Sequence, residues 1–187
     1  MNLKHGIDVA SRMDYTALIT LENIDNNYII RQAKRWRGQN YTQICNEITQ
    51  YIKGDVIIDA TGVGYAVAEM LPAPLIKVWL TGGEKTSFDG QMWKVPQVQL
   101  ISDLVLKIEQ EQIKIPSNLS LKDNILHELN VLKQGKKFEA KQGEHDDLVF
   151  ALALALWGFE QNTNTNSGAI YAPSQQEFLT KVKKSIQ

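Results

Sequence analysis

Between Leu148 and Trp157 every residue is apolar, and immediately before this run stand His145, Asp146 and Asp147. As a helix, such a run has no polar face to turn toward water, so protein must enclose it on every side. It is well short of the roughly 18 apolar residues that span a bilayer, which makes it a core helix rather than a membrane one. The chain is thereby committed to a fold that wraps one central helix and carries two carboxylates in on that helix's first turn. Carboxylates in this place can cap free N–H groups and interact favourably with the helix dipole, the simpler role for Asp146 and Asp147.

Enclosing a helix takes a sizeable core, and 187 residues of which 43% are hydrophobic suffice for one domain with a tail. We expect the domain over residues 1–160 and a linker with a short basic tail over 161–187. Lys and Arg number 20 against 21 Asp and Glu, so no global positive field draws the chain onto a polyanion. The one cysteine, Cys45, falls among the apolar positions of a predicted helix, which points to packing and a reducing compartment. There is no secretory h-region and no spanning segment, so a cytoplasmic protein without membrane contact is expected.

Leu3 to Val9 reads as a strand with Asp8 inside it, flanked by the small residues Gly6 and Ala10. After a turn over Ser11 to Asp14, Tyr15 to Leu21 and Tyr28 to Ala33 read as two more strands joined at Asp25-Asn26-Asn27, a three-stranded antiparallel meander. Tyr41, Ile44, Cys45, Ile48, Tyr51 and Ile52 recur at helical spacing, with Asn40 or Thr42 as cap. Val56-Ile57-Ile58 is a buried, parallel-type strand ending at Asp59. A helix from Tyr65 to Leu71 and a strand from Ile76 to Leu80 complete a β-α-β unit. Thr81 to Pro96 is long, polar and glycine-punctuated, the mark of a functional loop or hairpin. Helices follow around Val98 to Ile108 and Leu121 to Leu132, a short strand at Ile113 to Ile115, and an edge strand at Lys136 to Ala140. Gln161 to Gly168 is Asn/Thr-rich, and Gln175 to Ile186 is patterned as a basic amphipathic helix.

The order predicts an α/β fold, a mixed sheet of three antiparallel strands followed by parallel strands, with helices on both faces. In such sheets the crevice lies beyond the strand ends, where Asp59 stands. An acid within a strand, as at Asp8, needs a compensating partner. If the fold packs Asp8, Asp59 and the Asp146-Asp147 pair together, their charges repel unless divalent cations neutralise them. Carboxylate-only ligation suits hard ions such as Mg²⁺ or Mn²⁺, and two such ions serve phosphodiester hydrolysis.

Four ordered motifs carry a resemblance: Gly6-Ile7-Asp8-Val9-Ala10 with Asp14-Tyr15-Thr16-Ala17, then Ile58-Asp59-Ala60-Thr61-Gly62-Val63-Gly64, then Thr81-Gly82-Gly83, and finally His145-Asp146-Asp147-Leu148-Val149. In these the chain resembles, over roughly residues 1–160, the C-terminal nuclease domain of tailed-phage large terminase subunits, a ribonuclease H-like fold. The resemblance implies a metal-dependent endonuclease that cuts double-stranded concatemeric viral DNA during packaging, in the host cytoplasm, with two Mg²⁺ or Mn²⁺ ions and little sequence specificity. It implies Asp8, Asp59 and Asp147 as catalytic metal ligands. Asp146 is the alternative ligand, or a capping or supporting group. His145 is the candidate to orient a ligand or the attacking water, and Arg12, Lys85 and Lys94 are candidates for phosphate contact, each with plain surface solvation as the rival reading.

The partners so implied are double-stranded DNA, the terminase ATPase motor, the portal protein and the small terminase subunit. No G-x-x-x-x-G-K-[ST] motif occurs, Gly83-Glu84-Lys85-Thr86 lacking the spacing, so the motor is not expected in this chain. Rival readings are a resolvase or transposase of the same fold, and a nucleotide binder of the sugar-kinase or actin type, which would need a second copy of the domain. The Gly62-Val63-Gly64-Tyr65-Ala66-Val67 stretch also resembles a loose dinucleotide loop, but follows the fourth strand rather than the first and lacks the final Gly or Ala.

Overall fold

Alternation of side chains decides how the first strands are used. In strand β1 (Leu3–Asp8), His5 and Ile7 turn to one face of the sheet, so Lys4, Gly6 and Asp8 turn to the other. Strand β2 (Tyr15–Ile24) sends Ala17, Ile19 and Leu21 to the second face, and strand β3 (Asn27–Arg37) sends Ala33 and hence Arg35 there. The two strands pair antiparallel across the Asp25-Asn26 turn, both of whose residues have positive φ, with a register shift at Thr20/Leu21. In this computed structural model residues 2–11, 14–133 and 145–164 are described.

Helix α1 (Tyr41–Tyr51) starts at a capping box in which the Asn40 side chain accepts from Gln43 N and Gln43 Oε1 accepts from Asn40 N. Strand β4 (Asp55–Asp59) runs parallel to β1, with Ile7 beside Ile58, so Asp8 and Asp59 end neighbouring strands at the same edge. Helix α2 (Val63–Met70) begins two residues earlier than its apolar spacing predicts. Strand β5 (Leu75–Thr81) lies parallel to β4. The stretch after it is more than a loop: β6 (Ser87–Phe88) and β7 (Trp93–Pro96) form a hairpin whose second strand joins the sheet parallel to β5. Helix α3 (Gln97–Glu109), strand β8 (Ile113–Lys114, parallel to β3) and helix α4 (Lys122–Lys133) follow.

The sheet order is β6-β7-β5-β4-β1-β2-β3-β8, the mixed α/β architecture expected. Helices α1 and α2 cover the face of Ile7, Leu18, Val56 and Ile58. Helices α3, α4 and the last helix, α5 (Asp147–Asn164), cover the face of Ala17, Ile19, Ile30 and Ile57. Every residue from Leu148 to Phe159 is buried, as the apolar run requires. Helix α5 presses onto β1 at Gly6, where an added Cβ would stand 1.9 Å from the Ala151 carbonyl oxygen and 2.6 Å from Ala155 N. Only glycine permits this approach. Helix α5 also continues to Asn164, past the linker start placed at Gln161. The edge strand predicted at Lys136 to Ala140, Arg12 and the basic tail lie outside the described residues.

Candidate metal centre

Three chain-distant acids meet because three elements end at one place. Asp8 closes β1, Asp59 closes the adjacent parallel β4, and Asp147 opens α5, which crosses β1 at Gly6. By alternation Asp8 and Asp59 share the face that α5 covers. Asp59 is held by an Asx-type turn, its Oδ1 accepting from Thr61 N at 2.8 Å, while Thr61 Oγ1 accepts from Leu80 N at 3.0 Å. Gly64 is part of the same device: a Cβ there would stand 2.0 Å from the Asp59 carbonyl oxygen, and Gly62 sits at φ 57°. These two glycines therefore serve the turn behind Asp59, and the dinucleotide-loop reading loses its glycines.

The electrostatics are those of crowded acids. Burial, then the charges of Asp59, Asp147, Asp146 and Asp14, pushes the Asp8 carboxyl well above the ordinary carboxylate range. Burial likewise raises Asp59 against the hydrogen bonds from Thr61, and raises Asp146 with help from Asp14. Asp147, 3% exposed, is pushed up to about 7 by burial and by Asp14 and Asp146, against the pull of Arg35. Such a cluster gains from added positive charge. The donor set is almost wholly carboxylate oxygen, which fits a hard divalent cation. Ligand atoms of Asp14, His145 and Asp147 all lie within 4.8 Å of one another.

Of the residues singled out in the sequence, Asp8, Asp59, Asp146 and Asp147 are brought together, and His145 joins them: its Nδ1 lies 3.1 Å from Asp14 Oδ1 and 4.0 Å from Asp147 Oδ2, with its ring edge-on to Tyr15. Lys94 is exposed and paired with Asp89 of its own hairpin at 3.4 Å, and Lys85 is exposed on the loop between β5 and β6.

Three residues were missed. Asp14 stands in the turn and in one of the four motifs without a site role expected of it, yet its charge reaches Asp8, Asp146 and Asp147. Arg35 donates from Nη2 to Asp147 Oδ2 at 2.9 Å and to Glu128 Oε1, and its guanidinium lies 4.5 Å from the Tyr15 ring. Glu128, 4% exposed, accepts with Oε2 from Leu148 N at 3.0 Å and Val149 N at 3.2 Å. It is thus Glu128 of α4 that takes the first free N–H groups of α5, the work first assigned to Asp146 or Asp147. Spacing could have found it, because Glu128 follows Ile125 by three and precedes Leu129, on the buried stripe of α4.

Comparison with known proteins bears on the fold and the family. The family model described as the terminase RNaseH-like domain matches residues 5–158. The large terminase subunit of Thermus virus P23-45 is 26% identical over 161 residues, covering 83% of this chain and 31% of that protein, so the chain spans about a third of its length. The large terminase nuclease of thermophilic phage G20c with bound zinc aligns with TM-score 0.57 at 25% identity, over 83% of this chain and 80% of that one. The human cytomegalovirus terminase nuclease domain, soaked with Mn, shares the fold at TM-score 0.55 with 8% identity, over 82% and 81% of the two chains. With its fold, its cluster of acids and a family match over most of its length in accord, the chain belongs to the terminase ribonuclease H-like domain family.

Proposed function

We propose that this chain is a metal-dependent endonuclease that cuts double-stranded concatemeric viral DNA during genome packaging, by two-metal phosphodiester hydrolysis. The observation that carries the reading is the meeting of Asp8, Asp59 and Asp147 from three separate elements at one sheet edge, with Asp14 and Asp146 beside them. Relatives crystallised with magnesium and with zinc, and one soaked with Mn, support a divalent cation as the missing charge. Asp8, Asp59 and Asp147 would hold two Mg²⁺ or Mn²⁺ ions, with Asp146 and Asp14 completing the negative surround. Such ions lower the pKa of a bound water and stabilise the departing oxygen. His145, held against Asp14, would orient a ligand or that water. Lys85, Lys94 and Arg12 would touch phosphates without reading sequence.

The setting that goes with this reading is a large terminase subunit working in the host cytoplasm with a motor domain, a portal and a small subunit. No described helix is long and apolar enough to cross a membrane. The test is nicking of supercoiled plasmid by the 187-residue chain in Mg²⁺, Mn²⁺ or EDTA, beside Asp8→Asn, Asp59→Asn, Asp146→Asn and Asp147→Asn. Each substitution keeps shape and removes charge. Metal-dependent nicking should fall at least about 100-fold in the Asp8, Asp59 and Asp147 variants, beyond the range for groups that only support a ligand, and less in Asp146→Asn. Nicking that survives Asp8→Asn, or that proceeds in EDTA, would defeat the reading.

A further inference from the structure

Asp147 is bonded to a cation of the chain itself, Arg35. Arg35 reaches it from β3, two strands away from Asp8, and the same Nη2 donates to Glu128 of α4. Both acids are almost fully buried, at 3% and 4% exposure. Glu128 uses its second oxygen to hold the N–H groups of Leu148 and Val149, the residues directly after Asp147. The guanidinium is pinned from below by the Tyr15 ring at 4.5 Å. One pair of opposite charges therefore fixes both the backbone turn that carries Asp147 and the side chain itself. It does so against repulsion from Asp8, Asp14 and Asp146, which would otherwise rotate Asp147 away from the cluster. At pH 8, above the value of about 7 to which burial pushes Glu128 up, Arg35 and Glu128 carry opposite charges, and their pair can hold Asp147 without adding net positive charge that would oppose a cation.

We propose that Arg35 and Glu128 are positioning residues of the metal centre, a charge-balanced clamp from β3 and α4 that sets the orientation in which Asp147 meets the cation. The inference rests on the reading of the site as a divalent-metal centre. Groups that orient a metal ligand without touching the metal change affinity by roughly 10- to 100-fold when removed.

The test uses the full 187-residue chain and Mn²⁺ binding by isothermal titration without DNA. The double variant Arg35→Gln/Glu128→Gln removes both charges together, so net charge is unchanged and only the clamp is lost. Its dissociation constant for Mn²⁺ should rise roughly 10- to 100-fold, and the Mn²⁺ concentration for half-maximal plasmid nicking should rise in step while the rate at saturating Mn²⁺ falls much less. Arg35→Lys keeps the charge but loses the guanidinium plane that lies against the Tyr15 ring, and should show the same loss in smaller degree. Melting in EDTA shows whether each variant is folded. A folded double variant whose Mn²⁺ dissociation constant stays within about twofold of the parent's overturns the proposal; where the double variant does not fold, Arg35→Lys decides by the same comparison. A parent that binds Mn²⁺ but nicks no DNA defeats the nuclease reading alone, because the binding arm still decides the role of the clamp. A parent that binds no Mn²⁺ defeats both.

Discussion

His5 shows how a single side chain can be fully legible in chemistry and silent in sequence. It sits at 1% exposure in β1, its Nε2 accepting from Lys53 N at 2.8 Å and its Nδ1 2.9 Å from Thr20 Oγ1. The Lys53 bond places the proton on Nδ1, which donates to Thr20, so the neutral imidazole is the form the fold accommodates. Burial accordingly lowers its pKa below the ordinary histidine value, outweighing the charge of Asp55. Between that lowered value and about 6.5 the unfolded chain holds more protons than the folded one, so stability falls as pH is taken down through about 6.5. His5→Gln can keep an acceptor for Lys53 and a donor for Thr20 without titrating. Its melting temperature should drop less than the parent's between pH 7.5 and pH 5, measured in EDTA; equal drops would show that His5 does not contribute. In the sequence this histidine was only one more residue of a strand, because its partners come from β2 and from the end of α1. The same is true of Arg35: its place in the alternation of β3 was open to inspection, but its two acids lie on α4 and α5.

At the level of elements, patterns within one segment read well and pairings between segments did not. The meander, α1, β4 and the buried α5 follow from period-2 and period-3.6 apolar spacing, since each buries one face or all of itself. The hairpin of β6 and β7 lies in the stretch expected to be a loop or hairpin, but the parallel ladder that joins β7 to β5 is an interaction no local pattern encodes. The cap on α5 escaped for a related reason, being donated by another helix. The contact of α5 with β1, by contrast, leaves a local trace in Gly6. Gly6→Ala would drive a Cβ into the Ala151 carbonyl and force α5 off the sheet. It should cost at least about 1–3 kcal/mol as an overpacked core position and separate Asp147 from Asp8, with nicking lost even where the variant remains folded. Gly82→Ala, with nothing within 4 Å of its would-be Cβ, should leave both the melting temperature and nicking unchanged. Equal behaviour of the two variants would refute this account of the Gly6 contact.

For the molecule as a whole, the position of the acids was legible and their company was not. Asp8 in an otherwise apolar strand-like run, where the structure makes it the last residue of β1, Asp59 at a strand end and the Asp146-Asp147 pair stand out because each is an acid where apolar residues belong. Asp14 and Glu128 did not, since turns and helices carry acids everywhere. If DNA is the substrate, as proposed, near balance of 20 basic and 21 acidic residues makes attachment to it weak and salt-sensitive. Lys94 is already committed to Asp89, whereas Lys85 is exposed, so the two should differ. Lys85→Ala should reduce the slope of log affinity against log salt for a DNA duplex by up to about 1, and Lys94→Ala by less, in titrations with catalysis blocked by EDTA. A larger effect at Lys94 would mean that the hairpin opens its ion pair on binding.

The seating of α5 on β1 also fixes when a working site can first exist during synthesis. Asp8 and Asp59 lie early in the chain, but the helix that brings Asp147 to them comes after all eight strands. A nascent chain that has emerged only as far as α4 holds two of the three acids and an uncovered apolar sheet face, with Arg35 and Glu128 waiting for their third partner. Closure across so long a separation is slow to nucleate and completes late. The order of translation itself thus keeps a fragment of this chain from assembling the full cluster of acids before its fold is whole.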